Sequence, residues 1–286
     1  MTADKTSPAK IGIVTVSDRA SAGVYKDLGG PAIHEYLTKH LANTWQPVAR
    51  LVADEVELVA AALRELAEML QIPVVTTLMA RGAFPDNHPL CLGMPGMHGT
   101  ATAITAMQKS DLLIALGARF DDRVTGRVNS FAPEAKIIHV DIDPAEQGKV
   151  RKPDVPIVGD CRLVIEEMVK AIQELLQGGT SQADLNPWRS RVSGWQEQFP
   201  LMYEQSEPGG PLKPQYCLEK LRDAAPEGTI LVSGVGQHQM WSSQYWRFNE
   251  PYTWVNSGGL GTMGFSVPAA IGAKVGRPDK TVWAID

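Results

Sequence analysis

Short apolar runs rich in β-branched residues alternate with amphipathic stretches along the chain. The runs are IGIVTVS (11–17), PVARLVA (47–53), PVVTTL (73–78), DLLIALGA (111–118), KIIHVDID (136–143), VPIVGD (155–160), TILVSGVG (229–236), YTWVNSGG (252–259) and TVWAID (281–286). This alternation predicts an α/β fold with parallel sheets flanked by helices. Because the runs are apolar almost throughout, we expect helices on both faces of the strands.

Two amphipathic segments predict long helices and indicate where the first sheet ends. Asp54 and Glu57 form a capping-box pattern at the start of the first helix. The side of this helix that packs on the sheet should carry Leu58, Leu63, Leu66 and Leu70. The second helix, near 162–177, stops at a pair of glycines, and the polar stretch GGTSQADLNP after it predicts a linker. We therefore place a domain boundary near residue 180.

Composition and charge narrow the classes of function. The 286 residues are 44% hydrophobic with a net charge of -5 and scattered basic residues, so neither nucleic acid nor an anionic membrane is an expected partner. No stretch approaches the roughly 20 apolar residues of a membrane span and no secretory signal is evident, so we expect a cytoplasmic protein. Cys91, Cys161 and Cys217 form no CxxC pair, which favours reduced, structural thiols.

Polar residues and glycines follow four predicted strands of the first sheet. Ligands of open parallel sheets bind beyond the carboxyl ends of the strands, where these residues fall. Arg119 and Arg123 supply guanidinium groups suited to a pyrophosphate, and Gly117 permits close approach to the backbone. Asp141 and Asp160 can accept hydrogen bonds from ribose or ribityl hydroxyls. The set fits a dinucleotide without a GxGxxG motif, although surface ion pairs and Asx turns explain the same spacing.

Three glycine-rich stretches precede predicted helices, namely GMPGMHGT (93–100), SGVGQHQMW (233–241) and NSGGLGTMGF (256–265). Backbone N–H groups at such helix starts can hold phosphates and other anions. His98 would face a ligand in the first stretch, while Gln237 and His238 could add side-chain donors to a diphosphate in the second. The alternatives are a structural hydrogen bond for His98 and tight turns selected only for packing.

Taken together, these stretches resemble the large, catalytic subunit of acetohydroxyacid (acetolactate) synthase over residues 64–286. The similarity is carried by PVVTTLMARGAFPDNHPLCLGMPGMHGTATA, SDLLIALGARFDDRVTGRVNSFAPEAKIIHVDIDPAEQGK, KPDVPIVGDC, VGQHQMW and WVNSGGLGTMGFSVPAAIGAK. It implies a central domain that binds FAD, although the net reaction involves no redox change. The implied FAD contacts are Thr77, Leu78, Met79, Met97, His98, Gly117, Ala118, Arg119, Asp121, Arg123, Val124, Asp141, Ile142, Asp160 and Cys161.

The same resemblance implies a thiamine diphosphate domain in the C-terminal part of the chain. Gln237 and His238 would meet the diphosphate, while Gly261 and Met263 would lie along the cofactor, with the Met side chain supporting its bent form. The implied reaction joins pyruvate, after decarboxylation, to a second 2-oxo acid such as pyruvate or 2-oxobutyrate in branched-chain amino acid biosynthesis. The implied partners are Mg²⁺, a second copy in a homodimer and a regulatory small subunit.

Both ends of the chain depart from that family. Its Gly-Asp-Gly metal motif would lie beyond Asp286, so we expect no metal ligands here and no activity of the chain alone. The pyrimidine-binding domain is replaced by IGIVTVSDRASAGVYKDLGGPAIHEYLTKHL, which resembles the molybdopterin-binding family, the molybdopterin adenylyltransferases, over residues 10–63. The candidate ligand residues of this segment are Ser17, Asp18 and Asp27, for which structural roles are the alternative.

The two resemblances predict four segments. These are a molybdopterin-binding-like fragment (1–63), an FAD-binding domain (64–180), a linker (181–213) and an incomplete thiamine diphosphate domain (214–286). They indicate a fusion of fragments of two enzymes. Besides an acetolactate synthase, two functions stay open: a non-catalytic FAD-binding module and a protein of molybdenum cofactor synthesis.

Overall fold

The computed structural model describes residues 9–16, 31, 35, 39, 45–52 and 56–286, which fall into two compact units divided between Val56 and Glu57. In the first unit, strand β1 (Ala9–Val16) pairs in parallel with strand β2 (Trp45–Val52). Two of the predicted runs are therefore strands. The positions Ser17, Asp18, Asp27 and Asp54 lie outside the described residues.

Helix α1 (Val56–Leu70) precedes a sheet of three parallel strands in the order β3-β4-β5. We call it the first sheet, since it is the first of the two sheets in the second unit. The strands are β3 (Leu112–Leu116), β4 (Lys136–Asp141) and β5 (Val155–Val158). The helices are α2 (Ala101–Lys109), α3 (Asp122–Thr125) and α4 (Cys161–Gln177), with 3-10 turns at Leu78–Ala80, Val128–Ser130 and Pro144–Glu146. The predicted α/β class with parallel strands is confirmed.

The run PVVTTL (73–78) does not form a strand, contrary to the prediction. Val74 makes an isolated parallel bridge, in which its N–H donates to Leu90 O at 2.8 Å and its carbonyl accepts from Leu92 N–H at 2.9 Å. Pro73 has no N–H with which to extend the pairing on one side, and on the other a 3-10 turn begins at Leu78, the last residue of the run. The apolar pattern was correct about an extended segment but not about its length.

Burial in the first sheet is greatest in its central strand. Strand β4 is buried at most of its positions. The outer strands keep apolar side chains at the surface, with Leu112 46%, Val155 47% and Val158 56% exposed. An apolar run alone does not distinguish an edge strand from a central one, which is why the pattern overestimated the cover.

Helices α1 and α4 build one core of the second unit. Leu66 of α1 and Ile165 of α4 are 2% and 1% exposed and lie in one cluster, against which Leu116 of β3 packs. Leu58, expected on the same face of α1, is 52% exposed. Val59, the next residue, packs against the cluster, so Leu58 lies at the margin of the apolar face.

A second sheet of three parallel strands follows, in the order β7-β6-β8. The strands are β6 (Ile230–Ser233), β7 (Trp254–Asn256) and β8 (Val282–Ile285), and the helices are α6 (Pro214–Ala224), α7 (Gln237–Tyr245) and α8 (Ser266–Gly276). Its core cluster contains Leu231, Trp246, Phe248 and Trp254. The central strand β6 is buried at every position, as expected for a strand between two neighbours.

The predicted linker (181–213) contains a helix, α5 (Asn186–Gln198), which overlaps the Trp-bearing stretch 188–199 that the sequence indicates as helical. Val192 of α5 packs with Ala103 of α2 in one apolar cluster, so this helix belongs to the packed unit. Residues 57–286 form one compact unit that contains both three-stranded sheets, and the domain boundaries near 64, 180 and 214 stay predictions. Within the described residues, no helix has the length and apolarity needed to cross a membrane.

We expect Leu66→Ala to destabilise the protein by about 2–5 kcal/mol, because the substitution leaves a cavity between α1 and α4. The matched control is Leu58→Ala on the same helix, where the exposed side chain should contribute no more than about 0.5 kcal/mol. Urea unfolding of the three proteins gives both values. Equal losses in the two variants would contradict the packing of α1 described here.

Candidate functional site

The carboxyl ends of the first sheet bring three of the predicted strand exits side by side. Leu116 of β3 is paired with Val140 of β4, and Asp141 at the end of β4 is paired with Val158 of β5. Gly117 follows β3 with φ at 64°, a backbone conformation that favours glycine, and its N–H donates to Val140 O at 2.8 Å. The sheet therefore places Gly117, Asp141 and the Gly159–Asp160 turn on one edge, as the sequence predicted.

The carboxylate of Asp141 is held at this edge by a backbone N–H two residues further along the chain. Asp141 is 9% exposed, and its Oδ1 accepts the N–H of Asp143 at 2.9 Å. The fully buried His139 places Nε2 4.0 Å from Asp141 Oδ2, which is too long for a hydrogen bond. Burial, together with the nearby carboxylates of Asp160 and Asp141, raises the pKa of the Cys161 thiol. The edge thus combines one buried carboxylate with an un-ionised thiol.

Two of the predicted FAD-contact residues also serve as helix caps. Asp121 Oδ1 accepts the N–H groups of Arg123 at 2.9 Å and Val124 at 3.2 Å, and its Oδ2 lies 3.3 Å from Arg119 Nη2. Asp160 Oδ1 accepts the N–H of Leu163 at 3.2 Å at the start of α4. The ion pair and Asx turn that spacing offered as an alternative are therefore both present. The guanidinium groups of Arg119 and Arg123 remain exposed at the same edge.

The glycine-rich turn at 93–100 packs directly against this edge. Met97 N–H donates to Arg123 O at 2.9 Å, and Arg123 Nη1 lies 3.8 Å from Met97 Sδ. Gly96 has φ at 97°, and a Cβ there would overlap the Arg123 carbonyl oxygen. Thr100 caps α2 by accepting the Ala103 N–H at 3.1 Å. The predicted helix start is thus formed, and the close contact with Arg123 requires the glycine.

The same turn contacts helix α7 of the second sheet. Gln244 Nε2 donates to His98 O at 2.7 Å, and Ser243 Oγ lies 3.3 Å from His98 Nδ1. On the other side, the Sδ of Met79 fills the space that a Cβ on Gly258 would need. Leu78 packs against the apolar cluster of the second sheet. Residues predicted to contact FAD and the loop predicted to contact thiamine diphosphate are therefore neighbours.

The first glycine-rich turn of the second sheet leads into α7, where Gln237 is exposed and His238 is partly buried. His238 Nε2 lies 3.7 Å from Asp286 Oδ1, and Ser266 Oγ hydrogen-bonds to Asp286 Oδ2. A Cβ on Gly234 would come close to the Asp286 carboxylate, so this side chain packs directly over the turn. Ser266 and Asp286 were not predicted from the sequence, because neither lies in a glycine-rich motif.

The second glycine-rich turn forms an open loop after β7. Gly261 has φ at 65°, and its N–H donates to Ser257 O at 2.9 Å. Thr262 N–H donates to Ser257 Oγ at 3.0 Å. Met263 is 80% exposed and Leu260 is 95% exposed. Gly261 and Met263 thus lie on a surface loop, and no His, Cys, Asp or Glu group of metal-binding size occurs among the described residues.

A buried ion pair that the sequence did not reveal joins the two halves of the site. Arg81 Nη2 lies 2.6 Å from Asp86 Oδ2 and donates to Ser243 O of α7 at 3.1 Å. Asp86 Oδ2 also accepts the N–H of Phe248 at 2.8 Å. Burial raises the pKa of Asp86, while the Arg81 charge and the Phe248 N–H oppose that shift. Arg81 stands in the LMARGAFPD motif, but only the fold shows its partners.

Comparison with known proteins connects both sheets to one family. Residues 37–168 match the family described as "Thiamine pyrophosphate enzyme, central domain", and residues 234–286 match "Thiamine pyrophosphate enzyme, C-terminal TPP binding domain". The chain is 57% identical over 224 residues to an acetolactate synthase of Mycobacterium bovis, with 78% of this chain and 36% of the relative covered. The chain is a member of the acetolactate synthase large-subunit family.

Other acetolactate synthases show the same relation. The large subunit of Corynebacterium glutamicum is 54% identical over 224 residues, which cover 78% of this chain and 35% of that protein. Acetolactate synthase 1 of Zea mays, a chloroplast protein, is 47% identical over 226 residues, with 78% and 34% covered. The chain thus spans about a third of the length of the curated acetolactate synthases it matches.

These comparisons support neither the molybdopterin-family resemblance of residues 10–63 nor a fusion. The central-domain match begins at residue 37, inside the segment that we had assigned to the molybdopterin-binding family. The acetolactate synthase resemblance itself is confirmed. The contacts of individual residues with FAD and thiamine diphosphate stay predictions.

We expect Arg81→Met to lower the free energy of unfolding by about 3–5 kcal/mol, because it leaves the Asp86 carboxylate buried without its cation. Arg277→Met is the control, since the pair of Arg277 with Asp279 is exposed and such pairs contribute little. Chemical denaturation measures both. If Arg81→Met were as stable as the control, the buried pair would not be holding the two halves together.

Proposed function

We propose that this chain supplies the FAD site and the diphosphate-binding part of the thiamine diphosphate site of an acetolactate synthase. The main support for this proposal is that the turn containing His98 contacts helix α7 and that Met79 contacts Gly258. Two segments proposed to bind different cofactors are thus in contact. A reaction that uses both cofactors together requires such proximity.

The groups at the edge of the first sheet fit FAD. Arg119 and Arg123 offer exposed guanidinium groups for a pyrophosphate, and the backbone at Gly117 is open to a ligand. Asp141 offers a carboxylate fixed by the Asp143 N–H. The proposed FAD contacts are Thr77, Leu78, Met79, Met97, His98, Gly117, Ala118, Arg119, Asp121, Arg123, Val124, Asp141, Ile142, Asp160 and Cys161.

The groups at the start of α7 fit a diphosphate. Gln237 and His238 lie in the first turn of this helix, where backbone N–H groups point outward. The Nε2 atom of His238 makes no hydrogen bond, and its nearest carboxylate, that of Asp286, lies 3.7 Å away, which leaves this nitrogen available to a ligand oxygen. We assign Gly261 and Met263, which lie on the surface loop after β7, to the same cofactor. When bound, thiamine diphosphate provides the carbanion chemistry.

The proposed activity is the condensation of decarboxylated pyruvate with pyruvate or 2-oxobutyrate, the entry into branched-chain amino acid biosynthesis. It rests on the identity to acetolactate synthases, one of which carries the name large subunit. That name supports a small-subunit partner, and we propose a homodimer and Mg²⁺ on the same family grounds. The residues of this chain would orient the two cofactors.

The first test is an absorbance spectrum of the purified chain with added FAD after removal of free flavin. We expect one bound flavin per chain, with bands that differ from those of free FAD. A folded chain that retains no flavin would refute the FAD assignment. Bound flavin without acetolactate formation, in the presence of pyruvate, thiamine diphosphate and Mg²⁺, would favour a non-catalytic FAD-binding module.

Arg123→Gln should weaken FAD binding by about 10- to 100-fold, because a charge-assisted hydrogen bond contributes about 1.5–3 kcal/mol. Arg127→Gln is the matched control, since it removes the same charge from an exposed position four residues away. Fluorescence titration with FAD gives both dissociation constants. If both variants weakened binding equally, the effect would be general electrostatics and not a contact of Arg123.

A further inference from the structure

His98 is fixed to helix α7 at two points. Its carbonyl accepts the Gln244 Nε2 donor at 2.7 Å, and its Nδ1 lies 3.3 Å from Ser243 Oγ. Ser243 is 1% exposed, and its own carbonyl is held by Arg81. The ring of His98 therefore has little freedom to turn away from Ser243.

The hydrogen-bond count at Ser243 decides which nitrogen of His98 carries the proton. A serine hydroxyl has one hydrogen to donate and two lone pairs to accept. Ser243 Oγ donates to Met240 O at 2.8 Å, which is shorter than its 3.3 Å contact with His98 Nδ1. With its hydrogen used, the hydroxyl can only accept from the ring, so Nδ1 must be the donor.

The other nitrogen of the ring is then unprotonated. Burial lowers the pKa of His98, so the ring is neutral at physiological pH and has one N–H. Nε2 of His98 has no hydrogen bond within the described residues. It is not one of the buried unpaired atoms among those residues, so solvent can reach it. It is thus a solvent-accessible acceptor on the turn that contacts helix α7.

We propose that Ser243 is a positioning residue that fixes His98 as the Nδ1-protonated imidazole, with Nε2 offered as an acceptor to an O–H or N–H group of the bound cofactor. The cofactor part of this inference rests on the proposed FAD site. A flavin dinucleotide carries suitable donors in its ribityl hydroxyls and ring N–H. The assignment of the proton to Nδ1 stands on this chain alone.

His88 provides an internal reference with the opposite assignment. Its Nδ1 accepts the Leu90 N–H at 3.2 Å, and its Nε2 lies 3.1 Å from the Glu68 carboxylate. A nitrogen that accepts a backbone N–H is unprotonated, and a carboxylate only accepts when ionised, so the proton is on Nε2. The two histidines should therefore give reversed nitrogen signals in one spectrum.

The experiment is a long-range ¹H–¹⁵N correlation spectrum of the ¹⁵N-labelled chain at pH 8, with His98 assigned by His98→Gln. We expect His98 to show a protonated Nδ1 and an unprotonated Nε2, and His88 the reverse. In Ser243→Ala the Nδ1–H loses its acceptor, so the Nε2-protonated form should rise, while Ser243→Thr should restore the original pattern. A wild-type His98 protonated at Nε2, or an unchanged pattern in Ser243→Ala, overturns the proposal.

Ser242→Ala is the matched control. Ser242 is adjacent on α7 and fully buried, but its Oγ has no partner, so the variant should keep both the His98 pattern and the stability of the chain. A changed His98 pattern in this variant would mean that any lost hydroxyl on α7 disturbs the ring, which also overturns the specific role of Ser243.

The cofactor part is tested separately by titration with FAD. Ser243→Ala should raise the dissociation constant about two- to tenfold, as expected for one misplaced hydrogen bond, and Ser243→Thr and Ser242→Ala should not. An unchanged constant in Ser243→Ala overturns the role of Nε2 as an acceptor for FAD. If the wild-type chain binds no FAD, the proposed function fails while the spectrum still decides the protonation of His98.

Discussion

The contact between the two candidate cofactor segments depends on the buried pair of Arg81 and Asp86. The guanidinium group reaches Ser243 O on α7, and the carboxylate accepts the N–H of Phe248, so each partner also holds the second sheet. Met79 lies two residues before Arg81, and Ser243 is the residue that meets His98. The contacts between the two candidate cofactor segments therefore follow from where this one pair is placed.

An ion pair is an expensive way to join two buried surfaces. Removing both charges from water costs several kcal/mol per ion, and apolar residues of similar volume often give equal or greater stability. The ion pair fixes the relative orientation of the segments it joins, because the donors of a guanidinium group lie at fixed angles. Gly82, next to Arg81, also reflects a close contact. It has φ at 88°, and a Cβ there would overlap Glu250 O, so the backbone at Gly82 lies closer to the backbone at Glu250 than a side chain would permit.

Much of this arrangement could be predicted from the sequence. Apolar runs located most of the strands, and the rule that ligands bind at the carboxyl ends of parallel strands selected Gly117, Asp141 and Asp160, which share one edge. Contacts between distant segments could not be predicted, because Arg81 and Asp86 carry no periodic signal and their partners are about 160 residues away. The exposed Leu58 and the short bridge at Val74 show the same limit: the pattern gives the type of element but not which neighbours cover it.

The spacing of the strand-end residues is explained equally well by a dinucleotide site and by local helix caps. The structure shows why the sequence could not distinguish the two explanations. Asp121 and Asp160 cap helices α3 and α4, and Asp141 holds the turn after β4. A carboxylate that is hydrogen-bonded to a nearby backbone N–H has already lost its rotamer freedom. The conformational entropy lost when a ligand binds to it is therefore smaller. Capping is therefore the means by which such a site is preorganised. The side chains that hold these local turns are thus the ones proposed to contact FAD.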